Sequence, residues 1–345
     1  MDPQQKALIL LEKQGKFEVG SRSIPSPGTG QLLVKVQSVA LNPVDYKIQE
    51  YGFFVDNYPA VLGVDIAGIV EEVGEGVENF SKGDNVLDNI SFSEYRPVSI
   101  LVYRVAHGAF SNDMAAFQQY TLTVASFTAQ IPSNQSFDGA ATLPLGLDTA
   151  VTGMYGKDFG AGITPPWAKS GVDNKSKGPI VIIGGASSVG SYVIQLARLS
   201  GFYPIIATAS PSNEHLLKEA ISQVTDSPIK IVYDAIALPD TQQIGWGLLA
   251  ENGTLVLTLP ASVKENEGKE RKAIATFGTP HMPQNQELGR NSWAMVEKWL
   301  SEGAVQPNKY EVLPSGLEGI IGGLERLKNG QVSGTKLVAH PQETQ

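Results

Sequence analysis

Between Gly184 and Gly190 the chain reads GGASSVG, and these residue types suit one kind of chemistry, holding a phosphate by the backbone. Glycines let a chain turn sharply and approach a pyrophosphate, whose charge then rests on free N–H groups at a helix start. Gly184, Gly185, Ser187, Ser188, Val189 and Gly190 therefore form a candidate cofactor-binding turn. Two other readings fail on spacing. A P-loop needs Lys and then Ser or Thr after its last glycine, whereas Ser191 and Tyr192 follow Gly190. A nucleophile elbow needs G-x-S-x-G, and Val189 stands two residues after Ser187. An NAD site carries Asp or Glu about 20 residues past the glycines to bind the ribose 2′-hydroxyl. Here that place reads Ala207-Thr208-Ala209-Ser210-Pro211-Ser212-Asn213, with no carboxylate before Glu214. Hydroxyls and an amide can donate to a 2′-phosphate, and Lys218 lies one helical turn on, so the segment favours NADPH over NADH. Ser210 or Ser212 can cap the next helix as well.

The turn is positioned by a strand–turn–helix–strand unit. Ile180–Ile183 is a short β-branched run of the kind found in buried parallel strands. Val189, Val193, Ile194, Leu196 and Ala197 follow at helical spacing, and a second strand is expected at 203–207. Upstream, residues 1–84 read as β-rich. Strands are expected at 6–11 and 32–41, and tightly bent strands of a small barrel at 61–73, among Gly63, Gly68, Gly74 and Gly76. Further strands are expected at 229–235, 253–259 and 337–339. A helix is expected at 291–300 with Trp293, Val296 and Leu300 on one face, and the last five residues are expected to fray.

Composition sets the outer limits. A chain of 345 residues can build two domains with proper cores. Its 42 % hydrophobic and 18 % charged residues are those of an ordinary soluble protein, and the expected compartment is the cytosol. No apolar run reaches the roughly 18 residues of a membrane span, and the N-terminus lacks the apolar stretch of a secretory signal. A net charge of −9 argues against a nucleic-acid partner. With no cysteine in the chain, disulfides, thiolate catalysis and cysteine-ligated zinc are excluded.

Several stretches in order resemble the medium-chain dehydrogenase/reductase superfamily. They are NPVDYK (42–47), PAVLGVDIAGIVEEVGEGVENFSKGD (59–84), TLPLGLDTAVTGMY (142–155) and the glycine turn. FGTPHMPQNQELG, QPNKYEVLPSGLEGI and GLERLKNGQVSGTKLV resemble its fungal zinc-free branch of trans-acting enoyl reductases and toxin-cluster dehydrogenases. The resemblance implies an α/β chain: a GroES-like β-barrel domain at 1–145 and 301–345, and a Rossmann domain, a doubly wound parallel sheet, at 146–300. It implies that Ser210, Pro211, Ser212 and Asn213 bind the NADP phosphate. Leu257, Thr258 and Leu259 join them as cofactor contacts, as do Val332, Ser333, Asp45 and Lys47. Leu143, Pro144, Leu145, Gly146, Thr149, Phe277, Gly278 and Thr279 would line the substrate. Lys47, Thr149 and Tyr46 are the catalytic candidates: Lys47 for a cofactor phosphate or an enolate oxygen, Thr149 for the substrate carbonyl or the carboxamide. Asp45 also reads as a turn residue and Tyr46 as cleft lining. Zinc members carry Gly-His-Glu where this chain has Gly63-Val64-Asp65, and His107, His215, His281 and His340 are scattered, so no metal site is expected.

The chain departs from the family twice. Deleting 85–103 would restore the family's KGDRV, so these residues read as an insert expected to pack poorly, with an ordinary strand pair as the alternative. After Ala220 a strand and a helix are missing: only ten residues separate Ala220 from Ile231. Glu214–Val224 is then expected to run as one helix, the Rossmann sheet to be one strand short, and apolar surface to stay uncovered. The reaction expected is NADPH-dependent reduction of an activated C=C bond, on a free or carrier-bound enoyl thioester with a polyketide synthase as possible partner. A zinc-free quinone or enone reductase is the alternative, and a binding-only relic the alternative of another class. No nucleic acid or membrane partner is expected, and monomer and dimer both stay open.

Overall fold

The computed structural model describes residues 3–90, 111–168, 177–209, 214–264 and 270–345. The chain opens with β1 (Gln4–Leu10), β2 (Phe17–Ser23) and β3 (Gln31–Ala40), followed by helix α1 (Pro43–Tyr51). β4 (Ala60–Val61), β5 (Asp65–Val73), β6 (Asn85–Asn89), β7 (Tyr120–Val124) and β8 (Thr128–Gln130) come next. Helices α2 (Phe137–Ala141) and α3 (Pro144–Tyr155) lead to β9 (Ile180–Ile183), α4 (Ser188–Leu199), β10 (Ile205–Ala207) and α5 (Glu214–Val224). β11 (Ile231–Asp234), α6 (Pro239–Leu248), β12 (Thr254–Leu257) and β13 (Lys272–Ala275) follow. The chain closes with α7 (Gln286–Ser301), β14 (Tyr310–Val312), α8 (Leu317–Lys328) and β15 (Lys336–Ala339).

Two compact units result: Met1–Leu145 with His281–Gln345, and Gly146–Pro280. In the first, the seven-stranded sheet runs β14-β15-β3-β5-β6-β8 with β7 on β3, beside a three-stranded sheet β2-β1-β4. Leu32, Val34, Val36, Ile66, Val70 and Val86 fill its core, with Leu317, Ile320 and Leu324 of α8 packed into the same cluster. Bulges in β3 between Leu33 and Val34 and between Val36 and Ser38 bend the sheet at the β5 pairing.

The first unit also takes in 281–300, which the sequence reading gave to the Rossmann domain. Helix α7 starts earlier than expected, at Gln286, and buries Trp293, Val296 and Leu300 as expected, with Trp299. Its last turn is held by the Asn134 amide, which donates to the carbonyl of Leu300. A second correction concerns the insert. Asn85–Asn89 is an integral strand, paired to β5 on one side and β8 on the other, with its last four residues buried. Asp88 accepts a hydrogen bond from the Thr128 hydroxyl at 2.9 Å. An insert therefore cannot begin at Asn85, and 91–103 lies outside the described residues.

The second unit is a parallel sheet in the order β10-β9-β11-β12-β13. Ile180 to Ile183 are all buried, as a strand covered on both faces requires. Helix α5 runs unbroken over Glu214–Val224, and among the described residues no strand lies between it and β11. β10 is consequently a rim strand, where the missing strand would have paired. Tyr203, two residues before β10, is 77 % exposed.

The C-terminal tail is tied down rather than frayed. Pro341 is buried, and the Gln342 amide donates to the carbonyls of Val36 and Gln119 at 2.9 and 2.8 Å. The Thr344 hydroxyl accepts the Leu317 N–H at 2.9 Å, capping α8 where Gly316 cannot. Deleting residues 341–345 should cost about 1–2 kcal/mol, given a cap and two amide bonds lost. Thermal unfolding should show a midpoint several degrees lower; an unchanged midpoint would refute the anchoring.

Candidate functional site

In the second unit the glycine turn is built for close backbone approach. Gly184 has φ +78°, and Ser187 caps α4 by accepting the Gly190 N–H at 3.1 Å. A Cβ on Gly190 would lie 2.2 Å from the Gly184 carbonyl oxygen, so only glycine lets the helix start sit this close to the turn. The Thr208 hydroxyl, at the end of β10, accepts the Gly184 N–H at 3.2 Å, and its carbonyl accepts the Gly185 N–H at 2.7 Å. Thr208 thus braces the turn, a role that sequence reading missed because the two positions lie far apart in the chain. A dinucleotide's pyrophosphate fits this cradle, a glycine-lined turn with the N-terminus of a twelve-residue helix behind it. Ser210, Pro211, Ser212 and Asn213 lie outside the described residues.

Thr149 sits on α3, which is fastened along α4. Tyr155 shares a 2.7 Å hydrogen bond with the Ser200 hydroxyl at one end. At the other end a Cβ on Gly146 would meet the Ser188 hydroxyl at 2.7 Å. Thr149 and Gly278, 129 positions apart in sequence, are brought together: a Cβ on Gly278 would fall 2.1 Å from Thr149 Oγ1. Phe277 and Gly278 are half-buried and Thr279 buried; Thr258 and Leu259 are half-buried. Leu257 is fully buried, as is Leu143 in the first unit.

In the first unit Asp45 lies beside a buried ionic cluster. Lys336, on β15, approaches Asp65 Oδ2 at 3.1 Å and donates to Asn42 Oδ1 at 2.6 Å. The Asn42 amide donates to Asp65 Oδ2 at 2.9 Å, and Asp65 Oδ1 accepts the Leu145 N–H at 2.7 Å. Asn42 also opens α1: Pro43 takes the first helical position, and Asp45 Oδ2 accepts the Asn42 N–H at 2.7 Å. Asp45 is completely buried and holds this cap, the turn role that its position in the sequence also suggests. Its Oδ1 has no hydrogen-bond partner among the described residues, and burial, with Asp65 adding to it, pushes the carboxyl up to about 8. Tyr46 and Lys47 ride on the same helix, half-buried, and burial pushes the Lys47 ammonium below its ordinary range. Val332 is half-buried against the core of this unit and Ser333 is exposed. Sequence reading left Asn42 and Lys336 out. The available signal was a lysine heading the otherwise apolar run KLVA, a position that demands a buried counter-charge.

The relationships of the chain agree with this geometry. Residues 28–133 match the alcohol dehydrogenase GroES-like domain. A trans-enoyl reductase of Aspergillus sclerotiorum is 31 % identical over 362 aligned positions, covering 93 % of this chain and 95 % of the relative. The chain is a medium-chain dehydrogenase/reductase. Within this superfamily of oxidoreductases it is also 30 % identical to a dehydrogenase of Aspergillus niger, over 97 % of this chain and 99 % of that one. An alcohol dehydrogenase superfamily protein of Novosphingobium aromaticivorans shares the superfamily fold, with a TM-score of 0.73 at 21 % identity over 97 % of this chain and 98 % of that one.

Two outcomes follow from the site. Gly190→Ala forces a methyl into the Gly184 carbonyl, so dinucleotide affinity, read by nicotinamide fluorescence, should fall at least about tenfold, one hydrogen bond's worth or more. Unchanged affinity would remove the turn from the binding site. For Asp45, the native state keeps a proton that the unfolded chain releases between pH 3.8 and about 8. The unfolded state binds fewer protons in that window, so stability falls as pH rises through it and levels off above. Asp45→Asn should flatten this slope in urea unfolding between pH 5 and 9, and an identical slope in both proteins would contradict the assignment.

Proposed function

We propose that this medium-chain dehydrogenase/reductase uses NADPH to reduce an activated C=C bond, in an α,β-unsaturated thioester presented by a polyketide synthase in trans. The observation that carries the reading is the end-to-end similarity to a trans-enoyl reductase at 31 % identity. The preference for NADPH is supported by the end of β10, where Ala207, Thr208 and Ala209 bring no carboxylate to a ribose and the Thr208 hydroxyl is already engaged by the glycine turn.

The bound nicotinamide would supply the hydride, delivered to the β-carbon of the thioester. Binding would fall to the turn 184–190 at the N-terminus of α4, whose helix dipole favours a pyrophosphate. The Thr149 hydroxyl donates to the thioester carbonyl, or holds the carboxamide in register. At the carbonyl it would stabilise the oxygen that gains charge as the β-carbon is reduced. Lys47 binds a cofactor phosphate or the same oxygen. The α-carbon takes its proton from solvent or a nearby side chain.

The test is NADPH and NADH titration by fluorescence, followed by NADPH oxidation with an enoyl thioester of N-acetylcysteamine and with a quinone. NADPH should bind at least about tenfold tighter than NADH, the effect of a satisfied charged contact. Turnover should occur with the thioester, and Thr149→Ala should lower kcat/KM by about ten- to a hundredfold. A well-folded protein that binds neither nucleotide, or one that turns over quinones and not thioesters, would overturn the reading.

A further inference from the structure

Tyr233, on β11, is completely buried, and burial pushes its hydroxyl well above the ordinary range. Its Oη donates to the Thr149 carbonyl at 2.8 Å. That carbonyl lies in the second turn of α3, where its regular acceptor role is toward the N–H four residues on, that of Gly153. A carbonyl has two lone pairs, so the tyrosine adds a bond that the helix does not need for its own satisfaction. Phenylalanine would fill the same volume without burying a hydroxyl. The surroundings are shaped for this bond. Gly153 faces the ring, and a Cβ there would lie 2.5 Å from Tyr233 Oη. On its other side Thr149 meets the backbone of Gly278, where only a glycine leaves room for Oγ1. The ends of α3 are already fixed by Tyr155 and by the close approach at Gly146, so Tyr233 acts on the middle of the helix.

We propose that Tyr233 is a positioning residue for Thr149: its hydroxyl pins the Thr149 carbonyl, and so sets where the Thr149 hydroxyl stands beside Gly278. This rests on the reading of Thr149 as the group that donates to the substrate carbonyl or the carboxamide. Tyr233 does not touch substrate, and its effect passes through one backbone atom.

The experiment compares wild type, Tyr233→Phe, Thr149→Ala and the double variant. Steady-state NADPH oxidation with the crotonyl thioester of N-acetylcysteamine is measured alongside amide hydrogen exchange of the full chain. Tyr233→Phe should lower kcat about tenfold, the size expected for one hydrogen bond's influence. It should also speed exchange in the turn 149–153 while leaving the ends of α3 unchanged. The double variant should have the kcat of Thr149→Ala alone, because a residue that acts through Thr149 has nothing further to lose. Full additivity of the two losses, or unchanged exchange at 149–153, would overturn the proposal. If Thr149→Ala keeps wild-type kcat, the reading of Thr149 fails and the positioning role goes with it. Faster exchange in Tyr233→Phe would then mark that as a failure of the reading and not of the hydrogen bond.

Discussion

A lysine ammonium sealed among apolar strands must have its charge met, and in this protein meeting it organises the first unit. Lys336 is 6 % exposed and Asp65 not at all. Such a pair adds little net stability over a well-packed apolar substitute, yet losing one partner strands the other charge at a cost of about 3–5 kcal/mol. The pair is therefore best understood as a constraint on geometry. Through Asn42 it fixes the entry to α1, and through Asp65 it holds the N–H of Leu145 at the first turn of α3. The helix that carries Tyr46 and Lys47 takes its direction from this cluster, reinforced by the Asp45 cap.

In the second unit an analogous task is performed without charge. Parallel strands covered on both faces bring β-strand ends to one rim, and short side chains let backbones meet there. Thr208 steadies the glycine turn from β10, while Tyr155 and Tyr233 steady α3 from α4 and β11. The buried hydroxyls of Tyr155 and Tyr233 have hydrogen-bond partners and that of Thr208 accepts an N–H, as the cost of an unsatisfied one demands. Uncharged hydrogen bonds thus set local geometry in one unit, and an ion pair does so in the other.

What could be read from the sequence was local. Ile180–Ile183 with its glycines announces a strand and a tight turn because strand period, β-branching and glycine all act within a few residues. The shortened Rossmann sheet was legible because a strand and its crossover need more chain than 220–231 provides. The Lys336–Asn42 bond spans 294 positions and the Tyr233–Thr149 bond 84, and no short-range pattern encodes such partners. Asn85 was misjudged for a related reason: NVLDN is unremarkable alone and becomes a strand because β5 and β8 flank it. The tail misled similarly, since PQETQ is polar and terminal, yet its amide donates to β3 and its hydroxyl accepts from the start of α8.

The rim strand β10 spans three residues, Ile205–Ala207. Open strand edges invite pairing with foreign chains and are a common origin of aggregation, and short edges are one of the ways native proteins blunt that hazard. A sheet that has lost its outermost strand therefore does not acquire a long adhesive border. With so few rungs on offer, an intruding peptide would gain only a handful of backbone bonds, too few to repay the entropy of ordering it. Three rungs make this edge a poor template for another chain.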